Sequence, residues 1–418
     1  MTDLITPSAQ LKSRNAAESR FQWYGRGAIF VSLAFLVVMV GSIIYKGTGA
    51  FTTTDVALVV DLGPDAVDPA APADARVEKI VKDALKARFP EATKRAERRM
   101  LYGLISNDAG FELERFIAAN PDAIGTLVKV WFRASDDFDI LMKGSMDRAA
   151  PESERRLSDL EISWIDSLVA ENDVKRGFNW SFFTNGDSRE PELAGILSAL
   201  TGSALTLLVC FCFSFPVAIM AAIYLEEFAP KNRLSDIIEV NINNLAAVPS
   251  IVFGLLGLSV LLNTFGMPRS SPLVGGLVLS LMTLPTIIIA ARASLRAVPP
   301  SIREAALGMG ASPVQATFHH VAPLALPGIL TGTIVGMAQA LGETAPLLMI
   351  GMVAFIVDVP QSILEPATAL PVQIFLWADA PERAFLEKTS AAIIVLLLFL
   401  ITMNLLAIVL RRRFEKRF

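Results

Sequence analysis

Residues 299–323 read PPSIREAALGMGASPVQATFHHVAP, a polar, turn-punctuated stretch between two long apolar runs. Two adjacent prolines end any helix that comes before them. Ser301, with Glu304 three residues on, has the spacing of an N-cap and its capping-box partner, so a short helix is expected to begin there. Gly308 or Gly310 can take the left-handed conformation that closes it. Ser312-Pro313 supplies an N-cap and a first-turn proline for a second helix, which Pro323 is expected to close. The expected product is a helical hairpin held at a membrane surface.

The rest of the chain puts a membrane there. Of its 418 residues 53% are hydrophobic and 19% charged, too apolar for an ordinary soluble enzyme. The net charge of −4 gives no electrostatic support for nucleic-acid binding. The two cysteines, Cys210 and Cys212, lie together in an apolar run and read as lipid-facing or packing residues. His319 and His320 are the only histidines; no metal constellation can be assembled from them, and surface polarity is the expected role.

Residues 1–26 form a polar tail, and 27–46 a first transmembrane helix. The uncharged run 27–45 is long enough for a bilayer, which needs about 20 residues, and Trp23, Tyr24 and Tyr45 flank it as interfacial anchors. A cleaved signal peptide has an apolar core of about 7–15 residues, so a retained signal-anchor is expected instead. Residues 47–192 form a polar insert with roughly 27 acidic and about 19 basic residues. Helical periodicity recurs in it: Val77, Ile80, Val81, Ala84 and Leu85 share one face, and Leu157, Leu160, Ile162, Trp164 and Leu168 a broader one. The Pro-, Ala- and Asp-rich stretch 61–74 reads as a linker. A small, largely helical domain is expected, with structural packing or partner contact as its role.

From 193 to 411 the chain is membrane again. Apolar runs cover 195–225, 245–265, 273–291, 329–350 and 391–410, giving about six spans in all. Pro216 suggests a kink or a surface-lying end in the first of these. Lys231, Arg233, Arg292, Arg296, Arg303 and the tail 412–418 fall on one side, whereas the opposite loops are poor in bases. The positive-inside rule then puts both termini and the 299–323 loop in the cytoplasm and the insert in the periplasm. The expected fold class is an all-α membrane protein. No G-x-x-x-x-G-K-[ST] occurs, so an ATP-driven process would need its motor on another chain.

The 299–323 stretch also carries a family resemblance. Glu304-Ala305-Ala306, three residues, Gly310, nine residues, then His320, Val321, Ala322 and Pro323 resemble the EAA loop of ABC-importer permeases. His320 and Ala322 stand where that pattern prefers Ile and Leu. The resemblance implies a type I permease core spanning 193–411, with the loop as a coupling helix for a separate ATP-binding subunit. Ala305 and Ala306 would permit close approach, and Glu304 would present a carboxylate to that partner or cap its own helix. LTGTIVGMAQALGETAPLLMIG, residues 330–351, and TLPTIIIAARASLRAVPPSIREAA further resemble phosphate-importer permeases of the PstA type. That implies a homologous permease partner, two ATP-binding subunits and a periplasmic phosphate-binding protein, with ATP hydrolysed by partners and no cofactor on this chain.

Glu343 is the acid in that second stretch, expected near the middle of a span, where an ionisable group faces a partner or a water-filled path. It can accept a hydrogen bond from protonated phosphate, or pair with an arginine of the partner permease and hold a gate shut; the second is preferred because an unpaired mid-membrane carboxylate is costly and repels anions. Thr344 and the turn around Pro346 are expected to bend the helix and to offer a hydroxyl. Gln339 stands where the family often has a basic residue, which leaves Arg292 or the partner to supply positive charge; Arg292 can equally snorkel to headgroups. Other readings are a permease for sulfate, molybdate or phosphonate, a membrane sensor using the insert as ligand domain, and a proton-coupled secondary transporter built on Glu343.

Overall fold

The computed structural model describes residues 9–63, 76–353 and 355–414; most of the linker-like stretch at 61–74 lies outside these. The first helix, α1 (Ala9–Gly47), is continuous from the polar tail through the apolar run, and none of its apolar window is buried within the chain. It packs along the last helix, α17 (Ala384–Phe414).

The insert follows at once. Its helices are α2 (Val77–Arg88), α3 (Arg95–Tyr102), α4 (Ala109–Ala119), α5 (Asp136–Lys143) and α6 (Asp159–Ala170). Ile80, Val81, Ala84 and Leu85 of α2 are buried, as the periodicity requires. In α6 the buried face is Glu161, Trp164, Ile165 and Leu168, and Leu160 is largely exposed. Ser158 caps α6 in a capping box with Glu161. The chain as a whole is mainly helical, but the insert also contains a sheet that the helical reading lacks. β1 (Thr52–Asp61) lies between β2 (Leu127–Arg133) and β3 (Val174–Phe178), antiparallel to both. The physical reason is the β-branched run Thr52, Thr53, Thr54, Val56, Val59, Val60, which loses side-chain freedom in a helix and packs well on a pleated surface. Val56, Leu58 and Val60 join Phe132, Phe138, Trp164 and Ile165 in one core.

The permease part begins with α7 (Trp180–Thr184) and α8 (Leu197–Ile223), which runs through Pro216 without interruption and ends in a π-helical turn, Tyr224–Phe228. α8 packs mainly on α11 (Pro272–Arg296). Small residues line the contact: a Cβ on Gly275 or Gly276 would run into Thr206 or Val209 of α8, and Ala218 and Ala222 share a buried cluster with Ala291. Lipid tails are as apolar as the helices, so close van der Waals approach through small residues holds such a pair together. Cys210 is buried there beside Thr283 at 3.6 Å, while Cys212 is exposed.

Two of the expected spans are broken. In place of one helix over 245–265 there are α9 (Arg233–Ala246) and α10 (Ser250–Leu256), bent by 103° and prolonged by a π-helical turn, Gly257–Thr264. Pro249 cannot continue the first helix. The run 329–350 is also split: α14 (Ala322–Gly342) stops, and α15 (Ala345–Met349) starts afresh. Pro346 has no N–H for the Gly342 carbonyl and its ring crowds it; whereas α8 passes through Pro216, here the backbone turns extended at Glu343 and the helix breaks. α15 lies on α10, where a Cβ on Gly254 would come within 2.7 Å of the Pro346 Cα. α16 (Leu370–Ala378) completes the end on the insert's side. Among the described residues five helices are long and apolar enough to cross a membrane, or six if the bent pair counts as one span.

The insert docks on this end through charge. Lys143 bridges Asp139 at 2.5 Å and Glu387, at the start of α17, at 3.3 Å. Lys388 is buried and donates to the Ala194 carbonyl. Burial pushes the Glu192 carboxyl up to about 7, with the Ser106 hydroxyl working the other way, and burial together with the neighbouring Asp137 charge raises Asp136 to about 6. Both groups are therefore held in their protonated form more firmly when folded, so the stability they contribute is fully present below the ordinary carboxylate range and is lost as pH rises to about 7. Thermal unfolding followed across that range is expected to show a loss on the order of 3 kcal/mol from Glu192, which Glu192→Gln removes.

Candidate functional site

The 299–323 loop folds as two helices, with differences from the expected caps. α12 (Pro300–Gly308) starts with Pro299 as N-cap and no side-chain cap. Ser301 therefore lies inside its first turn, and the Ser301–Glu304 capping box does not form. The two prolines pre-set φ for a helix start two residues earlier, which removes the need for a hydroxyl cap. Gly310, at φ +89, closes the helix; an L side chain is strained in that conformation. Ser312 caps α13 (Pro313–Ala316) in a capping box with Gln315. Pro323 does not end this second helix. A π-helical turn, Thr317–Val321, carries the backbone straight into α14, and Pro323 sits in the first turn of α14, where its missing N–H is harmless.

On α12, Ala306 faces inward and is buried, whereas Glu304, Ala305 and Gly310 are exposed. Leu307 and Met309 add apolar surface to the exposed side, continued by Val314 and Phe318. His319 and His320 are exposed on the π-helical turn.

Arginines tie this loop to the helix ends. Arg303 donates through Nε and Nη2 to the Glu227 carboxylate at 3.2 and 2.7 Å, and through Nη1 and Nη2 to the carbonyls of Val298 and Leu295, both at 2.8 Å. One side chain thus joins α12 to the end of α8 and satisfies carbonyls that the end of α11 leaves free. Beside it, Glu226 accepts from Arg296 at 3.0 Å and from Arg292 at 3.4 Å, and Arg292 also reaches Glu239 on α9 at 2.9 Å. Arg292 is therefore held by two carboxylates of its own chain.

The four residues proposed for a translocation path are not gathered into one pocket. Glu343 sits in the break after α14 with extended backbone, φ −81 and ψ 121, rather than within a span. Its side chain is half-buried and, among the described residues, has no ion-pair or hydrogen-bond partner. Thr344 is the half-buried N-cap position of α15. Gln339, one turn before Glu343, belongs to an uncovered stripe of α14 with Thr331 and Val335. Arg292 lies at the far end of α11. Among the described residues no group of three or more His, Cys, Asp or Glu is arranged to hold a metal.

Known proteins account for this arrangement. Residues 214–418 match the family described as binding-protein-dependent transport system inner membrane component. The phosphate transport system permease protein PstA 1 of Mycobacterium tuberculosis (strain ATCC 25618 / H37Rv) is 31% identical over 239 residues, covering 57% of this chain and 76% of that protein. The chain belongs to the PstA-type permease family. PstA of Yersinia pestis is 31% identical over 213 residues, 51% of this chain and 71% of that protein. The PstC permease of Pasteurella multocida is 29% identical over 267 residues, 57% and 82%. Residues 8–152 match a domain of unknown function, DUF3333. Among solved structures, the inward-facing MetNI methionine ABC transporter resembles 52% of this chain and 94% of that chain at 16% identity and a TM-score of 0.43. Its family and its apolar helices make the chain a multi-pass inner-membrane permease of the binding-protein-dependent transport class.

The Arg303–Glu227 contact is the feature that sequence reasoning missed. Its signal was present: two acids, Glu226-Glu227, at an end of a span otherwise surrounded by bases. Arg303→Ala leaves a nearly buried Glu227 unpaired and is expected to destabilise the protein by about 3 kcal/mol. Arg303→Lys keeps the charge but not the fork and is expected to lose less. Thermal unfolding of the purified variants in detergent measures both.

Proposed function

We propose that this chain is a permease subunit of an ATP-driven importer that moves inorganic phosphate across the inner membrane. The observation that carries the reading is the 31% identity to PstA phosphate permeases over most of their length, joined to an exposed α12 bearing Glu304, Ala305 and Gly310. In this reading α12 is the docking point of an ATP-binding subunit. The small Ala305 permits close approach, Glu304 meets basic groups of that partner, and Leu307 and Met309 supply apolar contact. A homologous permease, two such ATP-binding subunits and a periplasmic phosphate-binding protein complete the assembly. Both termini and α12 face the cytoplasm and the insert faces the periplasm, in keeping with the positive-inside distribution of bases.

Movement of α12 passes through Arg303 to the ends of α8 and α11. Glu343, unpartnered within the chain, pairs with a basic group of the second permease and closes the path at rest; Thr344 and Gln339 offer polar atoms nearby. Because Arg292 is neutralised by Glu226 and Glu239, positive charge for the anion comes from the partner rather than from Arg292.

Proteoliposomes holding the complete complex test this. ATP-dependent phosphate uptake is expected with phosphate-loaded binding protein, and stimulation by sulfate-loaded protein alone overturns the cargo. Gly310→Pro, which cannot adopt positive φ, is expected to abolish uptake while the protein still inserts. Glu343→Gln is expected to raise basal ATPase activity or leak, and unchanged values of both refute the gate.

A further inference from the structure

A cleft of about 730 Å³ opens between the underside of the insert and the adjoining ends of α1 and α17. Its wall carries Lys46 from the last turn of α1, Lys143 from α5, Arg176 from β3 and Arg383 just before α17, against the single carboxylate of Glu387. That carboxylate is already engaged, by Lys143 at 3.3 Å and by the Ser145 hydroxyl at 3.2 Å. Lys46, Arg176 and Arg383 are exposed and, among the described residues, have no ion-pair partner. Hydroxyls of Thr48 and Thr52 line the same space.

The level of the cleft is fixed by its neighbours. Phe51 lies four residues beyond the end of α1 and stacks on Phe183 at 5.8 Å, which stacks in turn on Phe178 at 5.9 Å, with Trp180 a further 4.8 Å from Phe178. Phe178 and Trp180 are 50% and 69% exposed, and Tyr45 beside Lys46 is exposed too. Phe178 is two residues from Arg176, on the same face of β3. An uncovered aromatic ridge next to unpaired cations, where two apolar helices emerge, is the composition of a membrane–water interface.

We propose that this cleft binds the phosphate group of an anionic phospholipid in the leaflet on the insert's side. Lys46, Arg176 and Arg383 contact the phosphate, the acyl chains lie along uncovered α1 and α17, and Phe178 and Trp180 rest at headgroup depth. The bound lipid fastens the insert to the bilayer. This site is independent of the cargo assigned above.

Native mass spectrometry of the full chain in mild detergent tests it, with phosphatidylglycerol, phosphatidylcholine and inorganic phosphate as probes. Phosphatidylglycerol is expected to be retained over phosphatidylcholine. Retention is expected to fall about fivefold for each of Lys46→Gln, Arg176→Gln and Arg383→Gln, and about a hundredfold for the triple variant. The charge-conserving triple Lys46→Arg, Arg176→Lys, Arg383→Lys is expected to bind like the parent, which separates lost binding from lost folding. Equal retention by the glutamine triple and the parent overturns the proposal, as does equal retention of the two lipids. Displacement of phosphatidylglycerol by inorganic phosphate overturns the lipid assignment in favour of a free-anion site.

Discussion

Within a bilayer no water is present to bond a free peptide group, so every interruption of a spanning helix must find its partners in protein. The permease half is shaped by this demand. The end of α8 closes with Ala229 N–H on the Tyr224 carbonyl at 2.7 Å, a π-type bond that uses an otherwise orphaned acceptor. After Gly342 the chain is held by Glu343 N–H to Ala340 and resumes with Leu348 N–H on Thr344. The α9–α10 bend is bridged by Ala247 N–H to Asn244 and Val252 N–H to Pro249. Broken helices are tolerated where short local bonds and neighbouring helices share the load, and α15 on α10 is one such pairing.

The second organising force is charge at the opposite ends of the same helices. Glu226 and Glu227 follow α8, and their arginine partners come from α11 and α12. Bidentate arginine contacts are directional as well as strong, so α12 is coupled to α8 in orientation as well as position. On the insert's side, Lys143 and Glu387 perform the corresponding task between the insert and α17, while Lys388 ties α17 to the Ala194 carbonyl ahead of α8. A permease built this way carries stiff joints at both ends of its spans, with small-residue packing between them.

Long apolar runs and the Glu304–Pro323 spacing made the membrane architecture and the family legible in the sequence. The caps at Gly310 and Ser312 followed from local chemistry, because glycine and serine have few competing roles there. Ser301 was misread because a proline N-terminus and a serine N-cap two residues later are equally good local solutions. The bend expected at Pro346 is a full break, whose extent the apolar run, long enough to span, concealed. The sheet was missed for a different reason. β1 is central, its neighbours come from residues 127–133 and 174–178, and pairing at such separation leaves no local periodicity beyond a β-branched bias. Ion pairs such as Arg303–Glu227 are invisible to spacing altogether, since they depend on which helix ends meet.

The way the insert enters the chain has a consequence of its own. β1 is its first strand and β3 its last, and Thr52 pairs directly with Phe178. Asn179 then donates from its side chain to the Ala50 carbonyl at 3.0 Å. Entry and exit therefore leave the first span side by side, like the two wires of a plug. A module wired in this way adds little closure entropy to the host, and it can be gained or lost between the first and second spans without moving either. The insert is thus an accessory that the permease core can carry without redesign.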